Sequence, residues 1–277
     1  MIDAHHHLWD PARREYAWLA GDALAPIRRA YTVDDLREVT KAAGVHATVL
    51  VQTVSAVEET EEFLATAKAE PLIAGVVGWV DLTSPGIGDD LAALAEAGPL
   101  VGIRHQVEGE ADDDWLLRPD VLRGLGAIED AGLVYDLLVR PSQLPAARAA
   151  AARLPGLTFV LDHAAKPPIA AGEWEPWAGT VAALAEAENV HCKLSGLVTE
   201  ADWASWHVGH LQRYVEHVLD VFGPARLLFG SDWPVCELVA AYEVVVDTAV
   251  ELTGGLSDPE RLAVFEHNAR RVYNLSI

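Results

Sequence analysis

Three consecutive histidines near the start of the chain, His5, His6 and His7, are the first residues whose type and spacing suit chemistry. They lie in an apolar stretch with the pattern of a β-strand, in which successive side chains point to opposite faces. His5 and His7 therefore share one face, about 7 Å apart, where two imidazoles can hold one ion or one polar substrate group. A purification tag would be a longer histidine run outside an apolar strand pattern.

Later apolar runs end in polar residues that a purely structural strand has little use for. Arg104 and His105 end the fourth run, His163 the sixth and Asp232 the eighth, while Lys193 lies in the seventh. Each of these is also explained by a buried polar group held by a neighbouring loop, and Arg104 by a tie to an acidic loop. Several such residues at strand ends favour a functional site.

Near-continuous apolar runs alternate with Ala-, Leu- and Glu-rich helical patterns along the whole chain, which is typical of parallel strands buried on both faces. No glycine-rich phosphate loop follows a run, which removes the main argument for a dinucleotide-binding fold. Eight strand–helix repeats predict an α/β fold, a (β/α)8 TIM-like barrel forming a single domain over residues 1–277. The predicted strands are residues 2–7, 46–52, 72–80, 100–105, 133–139, 157–163, 190–195 and 226–232.

Capping residues mark several helix boundaries. Thr32 precedes a helical pattern that ends before Gly44, and Ser55 with Glu58 forms a capping-box pattern ahead of residues 56–69. The other predicted helices lie between Pro85 and Gly98 and near residues 119–131, 142–153, 176–188, 208–222, 237–252 and 258–267.

The composition restricts the partners. A net charge of −22 argues against nucleic acid and anionic membranes, and weighs against a polyanionic substrate. No apolar run is long enough to span a membrane, and the start lacks a secretion signal. Two cysteines suit a reducing cytoplasm, where we expect the protein to reside. The sequence leaves a homo-oligomer open.

Six short motifs, in this order along essentially the whole chain, resemble those of the amidohydrolase superfamily, and within it the amidohydrolase 2 branch of sugar-lactone hydrolases. They are Asp3-Ala4-His5-x-His7, Gly102-Ile103-Arg104-His105-Gln106, Asp162-His163-x-x-Lys166-Pro167, Lys193-Leu194-Ser195-Gly196, Phe229-Gly230-Ser231-Asp232-Trp233-Pro234 and Asn268-Ala269-x-x-x-Tyr273.

The resemblance implies a catalytic group of His5, His7, His163 and Asp232 at the strand ends, with Asp232 activating the attacking water. Many members hold two metals through a carboxylated Lys after strand 4 and a His from strand 5. This chain has neither, so we expect one divalent metal on those four residues, with Zn²⁺ the first choice, or a metal-free site.

The predicted substrate-binding residues are Arg104, His105, Lys193, Trp9, Trp233 and His207. Indoles at strand ends suit the faces of a sugar ring, although they also fill gaps beneath long loops. Lys193 has three roles open to it: orienting Asp232, binding substrate, or pairing with a buried carboxylate. His207, with His210 and His217, otherwise fits a solvated helix face.

The first hypothesis is a hydrolase that opens a small-molecule sugar lactone to its aldonic acid. A metal-dependent decarboxylase of the same superfamily is the alternative enzyme, and its carboxylated substrate would need Arg13, Arg14 and Arg104 in the site. A catalytically silent ligand-binding barrel is the alternative from another class, although such a barrel would be expected to lose its site histidines and aspartate first.

Overall fold

The computed structural model describes residues 1–277 as one parallel sheet of eight strands surrounded by helices. The strands pair in chain order, each parallel to the next. They are β1 (Ile2–His6), β2 (Ala47–Val51), β3 (Ile73–Gly78), β4 (Leu100–His105), β5 (Val134–Leu137), β6 (Phe159–Leu161), β7 (Val190–Leu194) and β8 (Leu227–Phe229). The predicted single-domain (β/α)8 barrel is confirmed.

Ten α-helices follow the strands. None of them combines the length and the apolar character needed to cross a membrane. They are α1 (Val33–Ala42), α2 (Val57–Ala69), α3 (Ile87–Ala97), α4 (Pro119–Asp130), α5 (Leu144–Arg153), α6 (Trp177–Ala185), α7 (Val208–Phe222), α8 (Tyr242–Leu252), α9 (Asp258–Leu262) and α10 (Asn268–Val272).

Helix α1 begins as its sequence predicts, but helix α2 does not. Thr32 and Asp35 form a reciprocal capping box at the start of α1. The capping box predicted from Ser55 and Glu58 is wrong, because α2 has Ala56 as its N-cap and no side chain caps it.

The carboxylate that organises the start of α2 is Glu59, one residue later than predicted. It accepts hydrogen bonds from the backbone N–H groups of Thr53 at 2.7 Å and Val54 at 3.1 Å, and from the Thr53 hydroxyl. Glu59 thereby ties the first turn of α2 to the segment after β2. These hydrogen bonds hold the start of the helix in place of a side-chain N-cap.

Strand β6 is shorter than the predicted residues 157–163. The backbone leaves the strand after Leu161, and residues 163–166 adopt left-handed φ angles of 53°, 49°, 58° and 53°. This conformation costs about 1–2 kcal/mol per non-glycine residue. A hydrogen bond of 2.8 Å from the Trp177 indole to the Ala164 carbonyl helps to hold it.

The end of the chain also departs from prediction. The eighth strand covers only residues 227–229 of the predicted 226–232. The helix predicted at 237–252 begins at Tyr242, after a short 3-10 turn. The helix predicted at 258–267 consists of α9 and a π-helical turn, which α10 then extends.

The barrel closes between β1 and β8 through the residues that follow β8. The Asp232 N–H donates to the His5 carbonyl at 2.8 Å, and the His7 N–H donates to the Trp233 carbonyl at 2.7 Å. The two segments approach so closely at Gly230 that an added Cβ would lie 2.7 Å from the Cβ of His5. Only glycine allows this approach.

Asp3 fixes the same junction from the other face of β1. Its buried carboxylate accepts from the Ser231 N–H at 2.8 Å, the Ser231 hydroxyl at 2.6 Å and the Tyr242 hydroxyl at 2.9 Å. The pairing of β1 with β2 shifts register between Asp3 and His6. This irregularity explains why Asp3 and His5, two residues apart, face different surroundings.

The apolar core has two parts. The larger cluster joins the outer face of the sheet to the helices, and a smaller one includes Ile2, Val134 and Val160. Tyr273 and Leu275 belong to the smaller cluster, so the end of the chain packs onto the barrel strands.

Two glycines in α4 give a matched stability test. A Cβ on Gly124 would lie 2.2 Å from the Leu82 carbonyl oxygen, whereas a Cβ on Gly126 meets nothing within 4 Å. Gly124→Ala is expected to lower the free energy of unfolding by about 1–3 kcal/mol through overpacking. Gly126→Ala is expected to raise it by about 0.5–1 kcal/mol because alanine favours the helix. Thermal unfolding followed by circular dichroism measures both, and shifts in the same direction would contradict the predicted packing of α4.

Candidate active site

A cavity of ≈ 300 Å³ opens at the carboxyl ends of the strands, where the longest loops gather. Arg104 of β4 and residues from the segments that follow every strand except β3 line it, as expected for the functional face of a (β/α)8 barrel. The lining comprises His7, Trp18, Leu24, Thr53, Arg104, Gln106, Glu108, Leu138, His163, Lys166, Thr199, Glu200, Trp203, Asp232, Val235 and Leu238.

His5 and His7, at the end of β1, meet Asp232, which follows β8, at the base of this cavity. The Nε2 atoms of His5 and His7 are 3.2 Å apart. The Oδ1 atom of Asp232 lies 3.4 Å from Nε2 of His7 and 3.8 Å from Nε2 of His5. All three residues are buried. The structure therefore brings together these residues as the sequence predicts.

His163 joins the group from the left-handed turn after β6. Its Nε2 atom is 3.9 Å from Asp232 Oδ1, and its Nδ1 atom lies 2.8 Å from the Ser195 hydroxyl. Ser195 thus fixes the orientation of the His163 ring, with Nε2 facing Asp232. Burial lowers the pKa of His163, so the ring is neutral at neutral pH.

Asp232 is held by its backbone as well as its neighbours. It has a left-handed φ of 57° in the junction that closes the barrel. Burial by itself would raise the pKa of Asp232, but the imidazoles of His163 and His7 outweigh it and lower this pKa below the ordinary value. The carboxylate is therefore ionised at neutral pH.

His7 has a defined tautomer. Its Nδ1 atom lies 2.8 Å from the Val51 carbonyl oxygen, which can only accept, so Nδ1 carries the proton. Nε2 is then the His7 atom that faces Asp232, at 3.4 Å from its Oδ1 atom.

An ion network fills the barrel interior beneath the cavity. The Nζ atom of Lys193 lies 2.5 Å from Asp136, 2.9 Å from Asp162 and 3.1 Å from Nδ1 of His5. Arg104 donates to Asp162 at 3.0 Å. Lys193 therefore pairs with buried carboxylates, which decides between the three roles left open for it.

Arg104 is partly committed in the same way. Its guanidinium also donates to the carbonyl of Gln52, and its Nη1 atom lies 3.3 Å from Nε2 of His5. Arg104 lines the cavity as well, so it both ties strand ends together and faces the substrate space.

Sequence reasoning missed the acidic half of this network. Burial would raise the pKa of Asp162, but Lys193, His5 and Arg104 hold it well below the usual range. Asp136 lies in the middle of β5 and also accepts from the Tyr273 hydroxyl at 2.8 Å. In the sequence, Asp136 could have been noticed as a charged residue within an apolar strand. Its hydrogen-bond partner Tyr273 belongs to the motif Asn268-Ala269-x-x-x-Tyr273.

The donor atoms of His5, His7 and Asp232 suit one divalent ion. Their separations of 3.2, 3.4 and 3.8 Å approach the roughly 3.3 Å between ligands of tetrahedral Zn²⁺ at 2.0–2.1 Å. His5, Asp162 and His163 form a second group of this kind. The residues therefore fit a metal ion.

Several predicted substrate-binding residues lie outside the cavity lining. His105 stacks on Trp115 at 4.3 Å and lies 2.8 Å from Glu110. His207 is exposed and packs against the tilted ring of His210, with the ring centroids 3.7 Å apart. These histidines are therefore held by neighbours rather than directed at the cavity.

The predicted tryptophans also lie behind the lining. Trp9 donates to the Ile27 carbonyl at 3.1 Å, and Trp233 donates to Glu237 at 2.8 Å. The indoles that do line the cavity are Trp18 and Trp203. Trp18 lies in the long loop after β1, so its distance from the end of the strand gave no reason to predict it in the site.

The histidines of α7 differ from one another. His210 is exposed, whereas His217 lies 2.9 Å from the Ala178 carbonyl oxygen and packs against Trp174 and Trp177. The solvated face predicted for this helix is wrong for His217.

Three further charged residues line the cavity above the histidine–aspartate group. Lys166 pairs with Glu108 at 2.5 Å, and Glu200 lies on the same lining. Partial burial raises the pKa of Glu200 to about 7, with Lys166 opposing this shift and the carboxylates of Glu108 and Asp232 adding to it. We refer to Glu108, Lys166 and Glu200 as the charged wall.

Comparison with known proteins gives close relatives over most of the chain. L-fucono-1,5-lactonase from Burkholderia ambifaria is 42% identical over 241 residues, which cover 87% of this chain and 82% of that protein. L-fucono-1,5-lactonase from Burkholderia multivorans is 37% identical over 289 residues, which cover 99% of this chain and 96% of that protein.

A solved structure and a protein family also match this chain over nearly its whole length. The crystal structure of an amidohydrolase from Burkholderia multivorans with bound Zn superposes with a TM-score of 0.92 at 38% identity, covering 99% of both chains. Residues 2–275 match the amidohydrolase family Amidohydro_2. With the barrel and the histidine–aspartate group at its strand ends, this chain belongs to the amidohydrolase 2 family.

Proposed function

We propose that this protein hydrolyses a sugar-derived lactone of the L-fucono-1,5-lactone type to the aldonic acid. The observation that carries the proposal is the convergence of three imidazoles and the ionised Asp232 in one cavity at the strand ends. The two lactonase relatives support the substrate class.

Asp232 acts as the general base. Its ionised carboxylate takes a proton from the attacking water, whose oxygen bonds to the lactone carbonyl carbon and forms a tetrahedral oxyanion. The carboxyl group thus formed gives the proton to the ring oxygen as the carbon–oxygen bond breaks. The products are the free hydroxyl and the carboxylic acid, and Asp232 is ionised again.

Arg104 and His163 stabilise the oxyanion. Both line the cavity, and the guanidinium of Arg104 always carries N–H donors. His163 supplies a second donor at Nε2 when Ser195 donates its hydroxyl proton to Nδ1. An ester has a better leaving group than an amide, so this set of donors suits a lactone better than a lactam.

His5, His7 and Asp232, with His163 beside them, would hold one divalent ion, with Zn²⁺ our first choice. Such an ion, when bound, supplies Lewis acidity and lowers the pKa of water. The chain also carries its own base and donors, so the residues described above retain their roles in a metal-free site.

The two alternatives have less support. A decarboxylase acting on a carboxylated ring needs several arginines in the site, but Arg13 and Arg14 line a different cavity, which leaves Arg104 as the one arginine on the lining. A silent binding barrel does not account for three histidines, His5, His7 and His163, that each place a ring nitrogen within 4 Å of the Asp232 carboxylate.

Asp232→Asn is expected to fold normally and to lower kcat by about 10²–10⁴-fold, because asparagine keeps the shape and tolerates a left-handed backbone but cannot take the proton. Proton release from L-fucono-1,5-lactone, corrected for spontaneous hydrolysis, measures this. Asp220→Asn, on the exposed surface of α7, is the matched control. Near-normal turnover of Asp232→Asn would remove Asp232 as the base.

Metal binding has its own test. Chelator-treated protein titrated with Zn²⁺ in a calorimeter is expected to bind one ion per chain, because three suitable donor atoms converge. His7→Asn is expected to weaken binding by at least about tenfold, since losing even a residue that only orients a metal ligand typically costs about 10–100-fold in affinity. His46→Asn, at the other end of the barrel, serves as the control. Equal Zn²⁺ affinity in wild type and His7→Asn would exclude this ligand set.

A further inference from the structure

The charged wall is built by three separate segments that follow strands. Glu108 lies in the 3-10 turn after β4, Lys166 follows β6 and Glu200 follows β7. All three line the cavity that holds His163 and Asp232. The wall is thus part of the space that a substrate must occupy, although none of its members belongs to the catalytic group.

We infer that the charged wall binds the hydroxyl groups of a neutral sugar lactone and selects against lactones that carry a carboxylate. This inference rests on the proposed lactonase function and specifies the substrate class. It follows from the hydrogen-bonding capacity of the wall, the pairing of its cation and the excess of negative charge in the cavity.

The wall has the chemistry that hydroxyl groups require. Carboxylate oxygens of Glu108 and Glu200 accept from hydroxyls, and the ammonium group of Lys166 donates to them. With a pKa of about 7, Glu200 exists in both protonation states at neutral pH and can accept or donate. The indole N–H of Trp18, on the same lining, has no hydrogen-bond partner in the protein.

The cations of the cavity are already paired. Lys166 lies 2.5 Å from Glu108, and Arg104 lies 3.0 Å from Asp162 beneath the cavity floor. Glu200 and Asp232 form no ion pair with a lysine or arginine, although Lys166 is near enough to lower the pKa of both carboxyl groups. A carboxylate on the substrate would meet repulsion in a partly desolvated space, where charges interact more strongly than in water.

The backbone of Lys166 is fixed relative to the histidine–aspartate group. It belongs to the left-handed run that also contains His163, with a φ of 53° at each of these two residues. The Lys166 N–H donates to the His163 carbonyl at 2.9 Å. The wall therefore keeps a set position relative to His163, and the ammonium group of Lys166 is held there by its ion pair with Glu108.

The test compares two lactones of the same ring size. One is L-fucono-1,5-lactone, and the other carries a carboxylate in place of the exocyclic methyl group. Wild-type protein is expected to give a higher kcat/KM with the neutral lactone. Glu200→Gln is expected to reduce this preference about tenfold, which corresponds to roughly 1.4 kcal/mol.

Glu108→Gln provides an independent variant. It releases Lys166 from its carboxylate partner, so the preference for the neutral lactone is expected to fall through improved turnover of the carboxylated one. Glu173→Gln is the matched control, because this exposed carboxylate lies in the loop after β6 but outside the cavity lining. It is expected to leave the preference unchanged.

The outcomes separate the two proposals. If wild-type protein hydrolyses neither lactone above the spontaneous rate, the proposed function is wrong. If it hydrolyses the neutral lactone but both cavity variants keep the wild-type preference, the charged wall does not select the substrate and this inference is overturned. Melting temperatures of the two variants identify one that fails to fold, and the other then decides.

Discussion

The junction between β1 and β8 is the constraint on which the rest of the structure depends. The last strand joins the first through backbone hydrogen bonds of Asp232 and His7, and these same residues carry site side chains. Asp3 locks the junction by binding Ser231 and Tyr242. Closure of the barrel therefore also brings His7 and Asp232 together, so a change that opens the junction separates these two residues.

Beneath the site lies a network of buried charged residues whose positive and negative charges balance. Lys193 and Arg104 balance Asp136 and Asp162, and Lys193, Asp136 and Asp162 are fully buried. Pairing of this kind offsets the large cost of removing each charge from water, whereas loss of one member leaves an uncompensated ion. The network borders His5, so it fixes the floor of the cavity while leaving the chemistry to the groups above it.

The electrostatics of the chain and of its cavity agree. A net charge of −22 weighs against an anionic substrate, and the carboxylates of Glu108, Glu200 and Asp232 repeat that preference within the cavity. In the proposed reaction a neutral ring becomes an aldonate anion. The same charges that disfavour an anionic substrate then favour departure of the product, because repulsion arises only after the ester bond has been broken.

The sequence by itself determined the architecture and singled out His5, His7, His163 and Asp232, through the polar strand ends and the resemblance to the amidohydrolase superfamily. Strand periodicity puts His5 and His7 on one face, and parallel strands deliver their carboxyl ends to one edge, so His163 and Asp232 had to lie near them. Tertiary structure alone decided which other polar residues face the substrate. Lys166 reaches the cavity while Lys193 lies beneath it, because backbone turns and buried partners, unlike strand periodicity, depend on residues distant in the chain.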